Sequence, residues 1–428
     1  MIVRGFTAIK IRLYDVRQST FFMNAFYLML STFVVAGLGF VFWVIVARGY
    51  SSTTIGLATT LLSVSGLLSM LSLAGFDTTF VRFLPNSKRR NDHINNGLLV
   101  VALLGVVLSL GFVCTLSVTS PSLIFVQHNG WYIFGFTFFT VATSLNVLTN
   151  AIFLAQKRVR DIFIINLLFS ALKMVLPLLI IHGSVMTIFV MVGISQLVGL
   201  VLSLGVMKVR FHYTFSPKIH GDIMRLTRKY SFSVYASSIL NLLPPTILPL
   251  IIIHRLGSSS AAYYYIVFTI GSALYTIAYA SMQSAFAEGS HNEAAMKGHI
   301  LKAAKLIGVL LAPAIVVVLA FSNVILNIFG TEYATGGSGL LRLFAISAVA
   351  VAACSALGAI FKVTHNLRGV VAMNIVYAAG ILGLSYVFIP KFGILGVGWA
   401  WIAGTIAAAM VGWAFLKRSN SNYKLGEA

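Results

Sequence analysis

One lysine, Lys173, interrupts a largely apolar run from Ile162 to His182. It stands eleven residues past one end of that run and nine before the other, which on a helix is roughly 16 and 13 Å from the ends. A lysine side chain does not comfortably snorkel that far, and a lipid-facing ammonium at mid-depth is costly. Lys173 therefore faces a wet cavity, a polar neighbour or an anionic ligand. It is either a cation that meets a phosphate or acidic sugar, or a lysine satisfied by carbonyls and amides between helices. Arg48, Arg255 and Arg342 are further cations set apart from the basic loops. Each can attract a phosphate at the outer surface or simply snorkel into outer headgroups. Tyr275, Tyr279 and Gln283 recur at every fourth residue and so share a helix face. With Asn241 they offer hydroxyl and amide groups for a sugar-contacting wall, unless helix packing consumes them. Asn146, Asn150, Asn166, Gln196 and Asn374 have hydrogen bonding between helices as their default role.

Asp77 is the carboxylate nearest a span interior. It can take up a proton or a coupling cation, or pair with Arg82. Pro244, Pro245 and Pro249 break a helix and free the carbonyls of Leu240, Asn241 and Pro245. That break serves as a hinge or as a packed kink. No nucleophile–base pair, metal-ligand cluster or Walker-type glycine loop is visible, so no catalytic residue, metal or cofactor is expected.

The elements that must position these groups are transmembrane helices. Hydrophobic residues make up 59% of the 428-residue chain and charged residues 9%, more apolar surface than a soluble domain can hide. Twelve hydrophobic stretches are expected, at 20–47, 54–78, 97–118, 131–155, 162–182, 185–207, 231–254, 261–286, 303–328, 340–361, 369–389 and 393–416. Their loops are too short for a folded soluble domain. The fold class is an all-α polytopic membrane protein, twelve transmembrane helices in two pseudo-symmetric six-helix bundles around a central cavity. Cys114 and Cys354 fall inside spans and read as core filler.

The net charge of +21 would suggest nucleic acid in a soluble protein, but its distribution argues against that. If twelve spans alternate, 25 of the 30 basic residues fall on one side, and Arg48, Arg255, Arg342 and Lys391 on the other. The positive-inside rule then places both termini in the cytoplasm of a plasma-membrane protein seated on anionic lipid. Tyr263, Tyr264 and Tyr265 read as part of an interfacial aromatic belt.

The basic linker 208–230 separates an N-terminal lobe, 1–207, from a C-terminal lobe, 231–428. Ile45-Val46-Ala47-Arg48-Gly49-Tyr50-Ser51-Ser52 shifts by 207 onto Ile252-Ile253-His254-Arg255-Leu256-Gly257-Ser258-Ser259, and Asn166 stands 208 before Asn374. Six spans per half give a parallel repeat about an axis along the membrane normal, a transporter architecture.

Further stretches are distinctive: Ile55-Gly56-Leu57-Ala58, Leu73-Ala74-Gly75-Phe76, Arg82-Phe83-Leu84-Pro85, Ile328-Phe329-Gly330-Thr331-Glu332-Tyr333 and Ile389-Pro390-Lys391-Phe392-Gly393-Ile394-Leu395-Gly396. In order and spacing the chain resembles the polysaccharide-biosynthesis, or Wzx-type oligosaccharide flippase, family of the multidrug/oligosaccharidyl-lipid/polysaccharide exporter superfamily. The resemblance implies alternating access and a cargo of oligosaccharide on a polyprenyl phosphate or diphosphate, moved from inner to outer leaflet. Glycan-assembly enzymes are implied partners. The family pattern places an acid in the seventh span. Here that stretch reads Leu243-Pro244-Pro245-Thr246-Ile247-Leu248-Pro249, so no ion coupling carries over to it. A multidrug or cation exporter is the alternative, disfavoured by Lys173 and by the scarcity of buried carboxylates. A membrane glycosyltransferase or polymerase would need acids or a sizeable loop on the outer side, where Glu332 is the sole acid.

Overall fold

The computed structural model describes residues 20–87, 89–180, 183–216, 221–289, 296–364 and 366–425. The helices are α1 Thr20–Gly49, α2 Ser52–Leu73, α3 Phe76–Phe83, α4 Arg90–Thr119, α5 Gly130–Ala155, α6 Val159–Leu179 and α7 Val185–Phe211. They continue as α8 Gly221–Leu256, α9 Ser258–Gly289, α10 Met296–Asn327, α11 Thr331–Val363, α12 Leu367–Phe392 and α13 Leu395–Leu425. Twelve of these, all but α3, are long and apolar enough to cross a membrane. No strand occurs among the described residues. That is the expected answer to a solvent that cannot satisfy backbone amides.

Several boundaries differ from expectation, the third span starting at Arg90 rather than 97 among them, and two do so for evident local reasons. The second span ends at Leu73 because Ala74 (φ 47) and Gly75 (φ 80) turn left-handed, and the chain restarts as the short helix α3. Asp77 thus lies in the first turn of α3, not in a span. The tenth span begins at Thr331 although Gly336, Gly337 and Gly339 weaken helix propensity there. A Cβ on Gly336 would collide with the Tyr263 ring, so the glycine lets α9 and α11 approach closely. Tyr264 is fully buried, which corrects its assignment to an interfacial belt.

The chain forms two compact units. The first, among the described residues, falls within Met1–Ile45, Leu68–Thr115 and Val126–Tyr235. Its core sits at the basic end, where Phe76 and Phe80 of α3 join Leu98, Ile152, Phe153 and Ile165. The second falls within Val46–Leu67, Leu116–Phe125 and Ala236–Ala428. Its core is aromatic: Trp401 is buried, with the rings of Phe344, Phe268, Tyr275 and Tyr377 centred 5.2, 5.4, 6.2 and 6.2 Å away. Such pairs add about 0.5–1.5 kcal/mol each beyond burial.

Residues 46–67 belong to the second unit although the repeat puts them in the first half. Contacts at the start of α2 explain this. Gly56 lies against the Ser258 backbone so closely that no Cβ fits between them. Ser52 Oγ donates to Ser259 Oγ at 3.2 Å. Those serines stand 207 residues apart, the offset of the register read from the sequence.

Candidate functional site

Within the first unit, α1, α5 and α6 line an open cavity of about 480 Å³. On α1, Leu28, Ser31, Thr32 and Val35 recur with helical spacing and face it. Asn150 contributes from α5 and Asn166 from α6. Asn166 Nδ2 donates to Ser31 Oγ at 2.8 Å, which ties α6 to α1. The Thr32 hydroxyl is spent on the Leu28 carbonyl, 3.0 Å away. The Oδ1 atoms of Asn150 and Asn166 are buried and accept no hydrogen bond. A buried acceptor left unpaired costs about 1–3 kcal/mol. Both oxygens are covered in this state, so water or a hydroxyl-bearing guest reaches these two acceptors only when the seam opens.

Lys173 continues the same face of α6: Asn166, Ser170 and Lys173 stand at i, i+4 and i+7. Its ammonium is roughly one and a half to two turns further along, about 10 Å by helix rise. Nζ lies 4.7 Å from the centroid of the Phe42 ring on α1, and Phe42 is fully buried. Among the described residues no carbonyl or amide hydrogen-bonds this lysine; an aromatic face holds it, and a face accepts no N–H bond in the ordinary sense. Pro177 lies one turn beyond, and it has no N–H to give the Lys173 carbonyl. The α1–α6 seam therefore carries amide acceptors near one end and a cation with spare donors near the other.

The remaining predicted residues sit elsewhere, and most are already engaged. Arg48 donates through Nε to the Ile328 carbonyl at 2.9 Å and through Nη2 to the Asn327 carbonyl at 3.2 Å. It thereby caps the C-terminal end of α10, where the helix dipole favours a cation. Arg255 lies over the Tyr386 ring, 4.5 Å from its centroid. Arg342 donates from Nε to the buried Ser322 hydroxyl at 2.8 Å. Lys391 is exposed in the last turn of α12. The structure puts all four in the second unit.

Tyr275 is buried in the aromatic core, its hydroxyl 2.7 Å from Ser347 Oγ. It is a packing residue, not part of a cavity wall, because the face of α9 that carries it is the face that meets α11 and α13. Tyr279 is 46% exposed. Asn241 is exposed on α8 and has partners of its own. The side chain of Gln283 lies outside the described residues, as do residues 1–19 and, within the basic linker, 217–220. The α8 helix runs through Pro244, Pro245 and Pro249 without a break, which corrects the expected interruption. The Thr246 hydroxyl supports this stretch by donating to the carbonyls of Leu242 and Leu243, 2.6 and 3.2 Å away. A non-helical residue does interrupt α10, at Phe321 (φ −111, ψ 15).

Asp77 lies in the first turn of α3 and Arg82 in its last turn. Its Oδ1 is buried and unpartnered, and burial raises its pKa, partly offset by the amides of Thr78 and Asp77 itself. Nearby, Tyr235 donates to the carbonyls of Met70 and Leu71 at 2.6 and 2.7 Å. Its hydroxyl is pushed up to about 12, by burial first and by the Asp77 charge as well. Sequence reasoning missed Ser31 and Thr32, since hydroxyl residues are common in apolar helices. It also missed Asp161, whose Oδ2 is buried without a partner beside the cavity-lining Ile162.

A protein-family model described as polysaccharide biosynthesis protein matches residues 21–286. Among solved structures, an inward-facing multidrug resistance MATE family transporter of the MOP superfamily is similar with a TM-score of 0.71 and 17% identity, over 95% of this chain and 100% of that one. The lipid II flippase MurJ, in an inward closed conformation, is similar with a TM-score of 0.72 and 13% identity, over 91% and 87%. The eukaryotic MATE transporter AtDTX14 gives 0.59 and 13%, over 93% and 96%. No curated protein sequence matches. At such identities the likeness to these structures concerns the fold.

Proposed function

This chain belongs to the polysaccharide biosynthesis protein family, and from that premise we propose that it flips a polyprenyl-(di)phosphate-linked oligosaccharide from the inner to the outer leaflet. It is a multi-pass membrane protein with the fold of MOP-superfamily transporters, and its structural neighbours are transporters and flippases rather than enzymes. The observation that carries the reading is the α1–α6 seam. Unpaired amide oxygens at Asn150 and Asn166 suit sugar hydroxyls. The Lys173 ammonium, held over Phe42 with donors to spare, suits a phosphate. A polar headgroup needs both, while its tail stays in lipid.

In this reading the two repeat halves, 1–207 and 231–428, alternate access, with flexure in α8 around Pro244, Pro245 and Pro249. Both termini face the cytoplasm, where glycan-assembly enzymes deliver the cargo. Asp77, desolvated beside Tyr235, is the group we assign to proton coupling.

A cation exporter of the same fold would want a carboxylate where Lys173 stands. Reconstitution into liposomes with a lipid-linked oligosaccharide tests the choice. Outer-leaflet appearance of the glycan that requires Lys173 supports the flippase. Transport of organic cations, with no glycan movement, overturns it.

A further inference from the structure

At the basic end of the first unit a second cavity, of about 700 Å³, opens between α4, α5 and α7. It shares no helix face with the α1–α6 seam: neither α1 nor α6 lines it. The enclosure is built by a chain reversal. His212 adopts a left-handed conformation (φ 51, ψ 36) after the last residue of α7, and Tyr213 N donates back to the Met207 carbonyl at 3.3 Å. The reversal satisfies a carbonyl at the C-terminal end of α7. The reversed segment is then clamped across the first turns of α4. Asn95 Nδ2 donates to the Thr214 carbonyl at 3.0 Å, and the buried Tyr213 hydroxyl donates to Asn95 Oδ1 at 2.6 Å. Asn91 Nδ2 reaches Thr214 Oγ1 at 3.2 Å.

The walls are aliphatic: Leu99 and Ala102 from α4, Leu145 from α5, Leu204 from α7. Lys208 is the one charged residue among those lining the cavity. An apolar trough with one cation at its rim is the negative image of an amphiphile with an anionic head. The trough also continues into surface that meets hydrocarbon. Leu99 and Ala102 share their face of α4 with Leu103 and Val106, respectively 57% and 37% exposed, and Leu204 is one turn from Val201, 60% exposed. A molecule already in the bilayer can enter sideways without crossing water.

We propose that this trough is a binding site for a bilayer phospholipid with an anionic headgroup, its acyl chain lying along Leu99, Ala102, Leu145 and Leu204 and its phosphate meeting Lys208. Basic pockets between helices at a membrane surface recognise anionic heads in this way, at about 1 kcal/mol per lysine. The site is independent of the transported cargo. A phospholipid seated there ties α4, α5 and the reversed segment together at the inner leaflet.

Native mass spectrometry of the detergent-purified protein, with phosphatidylglycerol or phosphatidylcholine added separately, tests this. Phosphatidylglycerol should be retained about fivefold better than phosphatidylcholine, and Lys208→Gln should abolish the preference while leaving the melting temperature unchanged. Ala102→Trp should fill the trough and reduce retention of both lipids. Equal retention of the two lipids by the unaltered protein would overturn the assignment, as would undiminished phosphatidylglycerol binding in a folded Ala102→Trp variant. Displacement of phosphatidylglycerol by polyprenyl phosphate at equal concentration would also overturn it, reassigning the trough to the cargo carrier. If Ala102→Trp fails to fold, the Lys208→Gln comparison decides alone.

Discussion

Replacing Lys173 with Met separates a working cation from a structural one, because the two predict opposite effects on stability. Met keeps the length of the side chain and removes the charge. An ammonium at mid-membrane depth costs about 2.5–3.5 kcal/mol on insertion scales. The compensation visible here is the Phe42 ring at 4.7 Å, an interaction contributing about 0.5–2 kcal/mol. The difference leaves the charge a net burden of about 0.5–3 kcal/mol, so the variant should melt at the same temperature or higher. Transport should move the other way. A charge-assisted hydrogen bond to phosphate is worth about 1.5–3 kcal/mol, so flipping should fall by at least about tenfold at low cargo concentration. Thermal unfolding in detergent and a flipping assay on one preparation give both numbers. A lower melting temperature with undiminished transport would refute the reasoning and make Lys173 a packing residue.

Three further outcomes follow from the geometry. Arg48→Ala removes two hydrogen bonds to the end of α10 and should lower stability by about 1–3 kcal/mol, read as a fall in melting temperature; Arg48→Lys should recover part of it. Asp77 has a raised pKa through burial, so the folded state holds its proton more tightly than the unfolded state, and stability is lost as pH rises through that pKa. Asp77→Asn should therefore be more stable than the parent at neutral pH, with the difference closing in acid; a constant difference across pH would contradict this. Gly56→Ala places a methyl group against the Ser258 backbone, which cannot yield as a side-chain tip can, so melting should fall by several degrees.

Hydropathy made all twelve spans legible, because a 20-residue apolar run has few other uses in a protein this poor in charge. Lys173 was legible for the same reason, since an isolated cation far from both ends of such a run must be accommodated somehow. Its partner was not, as Phe42 is one of 32 phenylalanines and only the pairing of α1 with α6 selects it. Local rules also misled at identifiable places. Three prolines argue for a broken helix, yet α8 runs through them continuously, with the Thr246 hydroxyl donating back to the carbonyls of Leu242 and Leu243. The Tyr275–Tyr279 stripe shows a shared face truly enough, but periodicity cannot tell a packed face from a wet one. The serine register at Ser52 and Ser259 was readable as a repeat; that the two hydroxyls touch was not.

The α1–α6 seam is tested most directly by the flipping rate of a fluorescent lipid-linked oligosaccharide in liposomes, measured for the parent, Lys173→Met and the double variant Asn150→Leu/Asn166→Leu. The glycan should appear rapidly in the outer leaflet for the parent and be lost from it in both variants, each still folded by thermal unfolding. Equal rates for all three proteins would contradict it.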